Sequence, residues 1–325
     1  MNTFPWLMQS WQHSIAYKKN GRLPPGMLFT GPEGIGKLAF AKEYAQFILC
    51  TSNDENVCKQ CRACILFGAG NHPDYFLIEG EEKNAAIKID QIRNLIESLA
   101  QTPLLSDFQV GIISLAENMN KAAANALLKT LEEPRGNVVL LLLSNKPSAI
   151  PATIRSRCQN IKLPLPSKAE AEQWLASQVE SKILIQRCLS LADNLPLKAL
   201  AYANTGQDQV GETLITYLKQ IQSGEVDPIK IAAECTALTE NALQFLITFI
   251  ADMIRIKFSA KAFLNHHDKI SSLTELGNKI SIKRLFHFLE KILEANKLLS
   301  NRNNVNLQLL MEKIFINWRY INEIS

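Results

Sequence analysis

The sequence predicts an α/β domain with a parallel sheet and a P-loop, followed by two all-α domains. Three observations lead to this fold class. Through residue 165, short apolar strands alternate with helical segments, and a glycine-rich loop follows the first of these strands. From Lys168 onward, apolar residues recur at helical spacing and no convincing strand is present. Continuous apolar strands that alternate with helices are typical of a parallel sheet covered on both faces.

The chain has 325 residues, which favours two or three domains. We expect boundaries at 1–165, 166–207 and 208–325, because Pro164 and Pro166 end the α/β pattern and the later helices fall into a short and a long group. The predicted strands are Gly26–Thr30, Tyr75–Ile78, Gln109–Leu115, Val138–Ser144 and Ile161–Leu163. A helix after the second strand is expected to have Asp90 as its N-cap.

Charge and hydropathy limit where the protein acts. The N-terminus lacks the basic start and apolar run of a signal peptide, and no stretch approaches the roughly 20 apolar residues of a membrane span. We therefore expect a cytoplasmic protein without a membrane partner. The net charge of +4 is mild, but Arg255–Ser325 holds twelve Lys/Arg against six Asp/Glu. This excess indicates either a solvated helical surface or a face that touches DNA or an acidic partner.

A phosphate-binding loop is predicted where the first strand meets the first long helix of the α/β domain. Gly31, Gly34 and Gly36 allow backbone N–H groups to turn toward phosphate, and Lys37 is placed to reach the β- and γ-phosphates. The residue after this lysine should be Ser or Thr, whose hydroxyl holds Mg²⁺. It is Leu38, which has no oxygen to offer.

The acidic residues that should complete the nucleotide site are also missing. An Asp, usually followed by Glu, is expected at the end of the third strand, but Ser114 and Leu115 stand there. Glu117 is a displaced alternative, although the shifted register is expected to turn it away. Two independent defects at one site argue against ATP hydrolysis by this chain. Weak nucleotide binding through Lys37 stays open.

Four cysteines follow the first long helix in the pattern Cys50-x7-Cys58-x2-Cys61-x2-Cys64. Four thiolates complete the tetrahedral shell of Zn²⁺ and leave no open position, so the spacing favours a structural zinc rather than a catalytic one. An iron–sulfur cluster and unmetallated thiols are the alternatives. A reducing compartment does not favour disulfides among them.

The segment Ile154-Arg155-Ser156-Arg157-Cys158 lies between two predicted strands. From composition alone, Arg157 is read as a salt-bridged surface residue. An arginine that reaches the γ-phosphate of a neighbouring subunit is the functional alternative.

Together these motifs resemble the delta-prime subunit family of the bacterial DNA polymerase III clamp loader, a branch of the AAA+ superfamily. The resemblance is carried by the loop GPEGIGKL (31–38), the four cysteines, HPDYFLIEG (72–80), NALLKTLEEP (125–134) and the triplet Ser156-Arg157-Cys158. The last two motifs are shared with the ATP-hydrolysing loader subunits, and the defective loop distinguishes delta-prime from them.

The resemblance implies a role in DNA replication. Such subunits join motor ATPase subunits and a clamp-opening subunit through a C-terminal helical collar, here 208–325, with a helical lid at 166–207. The arginine of the triplet, here Arg157, is offered in trans to ATP bound by a neighbour. The assembly, part of a DNA polymerase holoenzyme, places a sliding clamp on primed DNA. Lys198 falls where related ATPases keep a basic sensor residue, and its role here is open.

Two rival functions remain to be compared. An ATP-hydrolysing motor subunit of the same loader would need the hydroxyl and the acid pair that this sequence lacks. A zinc-stabilised nucleic-acid-binding module would need a basic, aromatic-rich surface around the cysteines. Only Lys59 and Arg62 are basic between Cys50 and Cys64, and no aromatic residue lies there.

Overall fold

The computed structural model describes residues 4–52, 57–81, 85–205, 210–236, 239–260, 264–300 and 306–322. The chain forms two compact units, Met1–Glu170 and Ala171–Ser325.

The first unit alternates helices and strands, as the sequence predicts. In chain order the elements are α1 (Met8–Lys19), β1 (Gly26–Thr30), α2 (Lys37–Leu49), α3 (Arg62–Gly68), β2 (Tyr75–Ile78), α4 (Ile89–Leu99), β3 (Gln109–Ile113), α5 (Lys121–Glu132), β4 (Val138–Ser144), α6 (Ala152–Arg155) and β5 (Gln159–Lys162). Within the described residues they form a parallel sheet of five strands in the order β2-β3-β4-β1-β5.

Successive side chains of a strand point to opposite faces of the sheet, and both faces of the central strands are buried. Leu28 of β1 belongs to the core beneath α4 and α5, together with Leu95 and Leu127. On the opposite face, the Phe29 ring packs edge-on against Phe40 of α2 with 5.1 Å between ring centroids. This two-sided burial explains the continuous apolar strands of the sequence and confirms the predicted sheet.

The sheet brings the ends of β1 and β4 together. Thr30 pairs with Ser144 at the carboxyl ends of these strands. The chain leaves β1 there and enters the glycine loop, so the loop begins at the edge where open α/β sheets bind ligands.

The second unit is helical throughout its described part. Its helices are α7, which begins before the unit boundary (Lys168–Ala176), α8 (Lys182–Leu191), α9 (Pro196–Thr205), α10 (Val210–Ser223), α11 (Pro228–Cys235), α12 (Thr239–Lys257), α13 (Ile270–Gly277), α14 (Ile282–Ser300) and α15 (Leu307–Arg319). The predicted all-α architecture is thus confirmed.

The described residues of this unit form a smaller and a larger hydrophobic core. The smaller one gathers residues of α7–α9 around Leu175 and Cys188. The larger one gathers α10–α15 around Phe249 and Trp318, and the Trp318 indole N–H donates to the carbonyl of Leu218 at 2.9 Å. The predicted boundary between residues 207 and 208 lies outside the described residues.

Three local predictions differ from the structure. Strand β5 covers Gln159–Lys162, whereas the sequence predicts Ile161–Leu163. Helix α4 begins at Ile89 with Lys88 as its N-cap residue, and the Lys88 N–H donates to Gln91 Oε1 at 3.0 Å, so Asp90 lies in the first turn and is not the cap. Strand β3 ends at Ile113, because Leu115 takes a left-handed conformation with φ 53°. None of the described helices combines the length and apolar character that crossing a membrane requires.

Candidate functional site

The glycine loop joins β1 to α2 and is tied to the neighbouring strand. The Gly31 N–H donates to the carbonyl of Ser144 at 3.2 Å. Gly34 and Gly36 have φ angles of 89° and 95°, which glycine adopts at little cost. A Cβ on Gly36 would also lie 2.8 Å from the Phe4 ring, so glycine is required there for space as well.

Lys37 opens helix α2 and is only 8% exposed. Its ammonium group donates to the carbonyl of Pro32, within the same loop, at 2.6 Å. Burial lowers the pKa of Lys37 from 10.5 to about 8, while the negative charges of Glu117 and Glu33 act in the opposite direction. Lys37, the residue predicted to bind phosphate, therefore donates a hydrogen bond to its own loop, and burial disfavours its positive charge.

The side chains around the loop lack the usual metal ligands. Leu38 follows the lysine as the first residue inside α2. Ser114 and Leu115 follow β3, and the Ser114 N–H donates to the carbonyl of Ile78 at the end of β2. Neither the hydroxyl after Lys37 nor an acid directly after β3 is present.

Glu117 lies at the loop, contrary to the expectation that its register turns it away. The left-handed turn at Leu115 redirects the chain into a short 3-10 turn, Ala116–Asn118. The Asn145 N–H donates to Glu117 Oε1 at 2.9 Å, one residue beyond the Ser144 carbonyl that holds Gly31. The second oxygen, Oε2, is buried and has no hydrogen-bond partner among the residues that the structure describes. One carboxylate thus reaches the site from an unexpected position.

The four predicted cysteines lie together beside the end of α2. Their sulfur atoms are all within 4.8 Å of one another, with Cys50 Sγ 3.5 Å from Cys58 Sγ and Cys58 Sγ 3.9 Å from Cys64 Sγ. A tetrahedral ion with bonds of about 2.3 Å to sulfur separates its ligands by about 3.8 Å. The cluster therefore has the donor set and the size for one metal ion.

Local hydrogen bonds direct the thiols toward a common centre. The Cys61 N–H donates to Cys58 Sγ at 3.3 Å, and the Cys64 N–H donates to Cys61 Sγ at 3.4 Å as Cys61 caps α3. Although desolvation raises it, hydrogen bonds from Thr51 and Cys64 bring the pKa of Cys61 down to about 5. A metal ligand must be deprotonated, so these contacts favour metal binding.

Lys18 of α1 contacts the end of α2 and the first cysteine of the cluster. Its ammonium group donates to the carbonyls of Phe47 and Cys50 at 2.8 and 3.2 Å and lies 4.9 Å from the centre of the Phe47 ring. Burial lowers the pKa of Lys18, and the nearby Cys50, Asp107, Cys64 and Cys61 act against this effect. The cation is placed to balance negative charge on the sulfurs.

A buried polar network holds the cysteine module against the sheet, and sequence reasoning did not find it. The fully buried Asp74 carboxylate accepts the backbone N–H groups of Leu104, Leu105 and Ser106 at 2.7–2.9 Å. The Ser106 hydroxyl donates to the carbonyl of Leu49, next to the first cysteine, and lies 3.3 Å from His72 Nε2. The HPD part of HPDYFLIEG was the available signal, and its role here is structural.

Arg157 lies on the surface, after α6 and before β5. Its guanidinium donates to the carbonyl of Thr153 at 2.9 Å and forms an ion pair with Glu132 at the end of α5. The side chain is 35% exposed. The surface ion pair that composition alone predicts is present, and it leaves the guanidinium accessible.

The residues on either side of Arg157 make contacts within their own chain. Cys158 is buried, and a Cβ on Gly26 would lie 3.0 Å from its sulfur atom, so this thiol packs directly against the start of β1. The Ser156 hydroxyl donates back to the carbonyl of Thr153 at 3.1 Å. One neighbour is thus buried and the other is bound to its own turn, while part of the Arg157 side chain stays exposed.

Lys198, the predicted sensor residue, belongs to α9 in the second unit. Its ammonium group lies 5.6 Å from the centre of the Tyr202 ring. No contact within that unit gives it a catalytic partner among the described residues.

A parallel sheet of order β2-β3-β4-β1-β5, a glycine loop between β1 and α2, and a following helical region define the class: this is a P-loop protein of the AAA+ type. A family model described as "DNA polymerase III, delta subunit" matches residues 6–167, and one described as "DNA polymerase III, delta subunit, C terminal" matches residues 207–320.

Comparison with known proteins gives the family. The DNA polymerase III subunit delta' of Pseudomonas aeruginosa is 32% identical over 330 residues, covering 97% of both chains. That of Escherichia coli is 29% identical over 97% of this chain and 95% of its own. A solved gamma subunit-related protein from Thermotoga maritima has 17% identity and a TM-score of 0.49 over 94% of this chain and 98% of that one. This chain belongs to the delta-prime subunit family of DNA polymerase III.

Proposed function

We propose that this chain is a non-hydrolysing subunit of a DNA polymerase III clamp loader. In this role it assists the ATP-dependent loading of a sliding clamp onto primed DNA. Similarity to delta-prime subunits over nearly the full length carries the proposal. The missing hydroxyl and acid pair support a subunit that takes part in the ATP cycle without running it.

Nucleotide binding at Gly31, Gly34, Gly36 and Lys37 is proposed to be weak or absent. Mg²⁺ bound to nucleotide usually takes one or two protein carboxylates in addition to phosphate oxygens. Glu117 and the loop residue Glu33 both act on Lys37, and the carboxylate of Glu117 favours the rival motor subunit to that extent, but Leu38 supplies no second ligand. A phosphate would also have to displace the Pro32 carbonyl from Lys37.

Arg157 is proposed to act in trans, on ATP held by an adjacent motor subunit. The exposed part of its side chain supports this role. The ion pair with Glu132 is no obstacle, because a surface pair is worth only about 0.2–1 kcal/mol. A γ-phosphate carries more negative charge than a carboxylate and accepts two parallel hydrogen bonds from a guanidinium. Contacts with its own chain therefore position the arginine, and they do not prevent it from binding a phosphate in place of Glu132.

The metal at Cys50, Cys58, Cys61 and Cys64 is proposed to be a structural Zn²⁺. Four sulfurs within 4.8 Å suit one tetrahedral ion. An iron–sulfur cluster would place several irons and sulfides between the thiolates and would require wider spacing. When bound, the ion links the end of α2 to the start of α3 and supplies no open coordination position. Metal analysis of the purified chain is expected to give one zinc per molecule; stoichiometric iron would contradict this assignment.

The partners follow from the proposed role. The helical region from 208 to 325 is proposed as the collar that joins motor subunits and the clamp-opening subunit, and 166–207 as the lid. The separate hydrophobic cores around Leu175 and Trp318 support this division. Clamp and primed DNA are reached through the complex.

The test is clamp loading by a reconstituted complex with and without this chain. Loading of a fluorescent clamp onto primed circular DNA is expected to require the chain and to need ATP. Equal loading rates in its absence would contradict the proposed function.

A further inference from the structure

A cavity of about 400 Å³ opens between α14 and α15 in the second unit. Its volume lies in the range of pockets that bind small ligands or individual side chains. It is lined by Ser281, Lys283, Arg284, His287, Phe288, Lys291, Asn317 and Ile321.

The floor and the rim of this pocket differ in character. Phe288 and Ile321 are 2% and 3% exposed and give the floor an apolar surface. Lys283, His287 and Lys291 are spaced by four residues on α14, so they follow one face at intervals of about 6 Å. Lys291 Nζ donates to Asn317 Oδ1 at 2.8 Å, which joins the two helices across the rim.

Cations dominate the lining. Lys283, Arg284 and Lys291 are charged at neutral pH, and His287 adds a fourth basic group; no carboxylate is among the described lining residues. Glu290, whose carboxylate lies 3.8 Å from His287 Nδ1, is a neighbouring acid outside the pocket. Clustered charge of one sign in a concave, partly apolar site concentrates ligands of the opposite sign.

We propose that this pocket binds an acidic peptide segment of a partner protein, with an apolar side chain inserted onto Phe288 and carboxylates held by the rim. The apolar floor favours a peptide, because a phosphodiester backbone offers nothing to bury there. Lys283, Arg284 and Lys291 are three of the twelve Lys/Arg residues in Arg255–Ser325.

The test uses the full chain and a library of random peptides displayed on phage. Enriched sequences are expected to carry Asp or Glu beside Leu, Ile or Phe. A fluorescein-labelled copy of the strongest sequence is then titrated with wild type, with Lys283→Ala/Lys291→Ala, and with Lys279→Ala/Lys297→Ala. The last pair is a matched control, because it removes the same charge from exposed positions outside the pocket.

The pocket variant should bind the peptide about tenfold more weakly than wild type, as loss of charge-assisted contacts predicts, while the control stays near wild type. Circular dichroism checks that both variants are folded. Failure to enrich acidic sequences, or equal weakening in both variants, overturns the proposal. The proposal is also overturned if no acidic peptide is enriched and a labelled single-stranded or duplex oligonucleotide binds to wild type but not to the pocket variant.

Discussion

Replacing Lys37 with methionine is predicted to stabilise the protein at neutral pH. Burial lowers the pKa of this lysine from 10.5 to about 8. Since one pH unit corresponds to about 1.4 kcal/mol, holding the buried amine in its charged form costs about 3 kcal/mol. Methionine is uncharged and fills a similar volume, but it loses the hydrogen bond to Pro32, worth about 1.5 kcal/mol. The net gain in free energy of unfolding is therefore about 1–2 kcal/mol.

This gain depends on pH in a defined direction. Below about pH 8 the folded amine is charged and the full cost applies. Between about pH 8 and 10.5 the unfolded chain binds more protons at Lys37 than the folded protein, so wild-type stability rises with pH relative to the variant. The advantage of Lys37→Met should therefore fade over this range. Urea unfolding at about pH 7 and about pH 9.5 measures the difference.

Lys42→Met is the matched control, because Lys42 lies on the same helix and is less buried than Lys37. It should change the free energy of unfolding by less than about 0.5 kcal/mol at either pH. A Lys37→Met protein that is less stable than wild type at neutral pH, or whose advantage is the same at both pH values, would refute the reasoning.

The cysteine module gives two further predictions. Cys61→Ser removes one ligand and should reduce bound zinc from one per chain to near zero by atomic emission, while Cys188→Ala in the second unit leaves zinc unchanged; full zinc in the first variant contradicts the assigned ligand set. Lys18→Met removes the cation beside the thiols and should speed zinc release to a chelator about tenfold, the scale of outer-shell effects, with Lys19→Met as control. Equal release rates in the two variants would show that Lys18 does not balance the charge.

Much of the fold could be predicted because its signals are local. The apolar run of β4 and the alternation with helices are enough for a parallel sheet. The cysteine cluster was equally accessible, because three of its ligands share one CxxCxxC run and their spacing constrains their geometry. Boundaries were less certain: the strand predicted to reach Leu115 ends at Ile113.

The contacts that decide the site could not be predicted, because they depend on distant parts of the chain or on unusual backbone angles. Glu117 returns to the loop only because Leu115, a non-glycine residue, adopts positive φ. Lys37 is held by a carbonyl of its own loop, and no side-chain pattern reports such a contact. Glu132 and Arg157 meet through the packing of α5 against the segment after α6.

The expected cap at Asp90 shows how local rules can be overridden. A side-chain cap at Asp90 would begin the helix two residues later than observed. Instead, the Gln91 side chain accepts the Lys88 N–H and also donates to the carbonyl of Glu79 at 3.0 Å. This link between the helix start and the segment after β2 fixes where α4 begins.

The most direct test of the account is DNA-stimulated ATP hydrolysis by the reconstituted loader. Arg157→Ala should slow turnover by at least about tenfold, given the 10³–10⁵ range of arginine contributions to phosphoryl transfer. Lys37→Met and the control Arg155→Ala should leave turnover near wild type. Normal turnover with Arg157→Ala, or hydrolysis by the isolated chain that Lys37→Met abolishes, would contradict the claim that this subunit lends an arginine and hydrolyses no ATP itself.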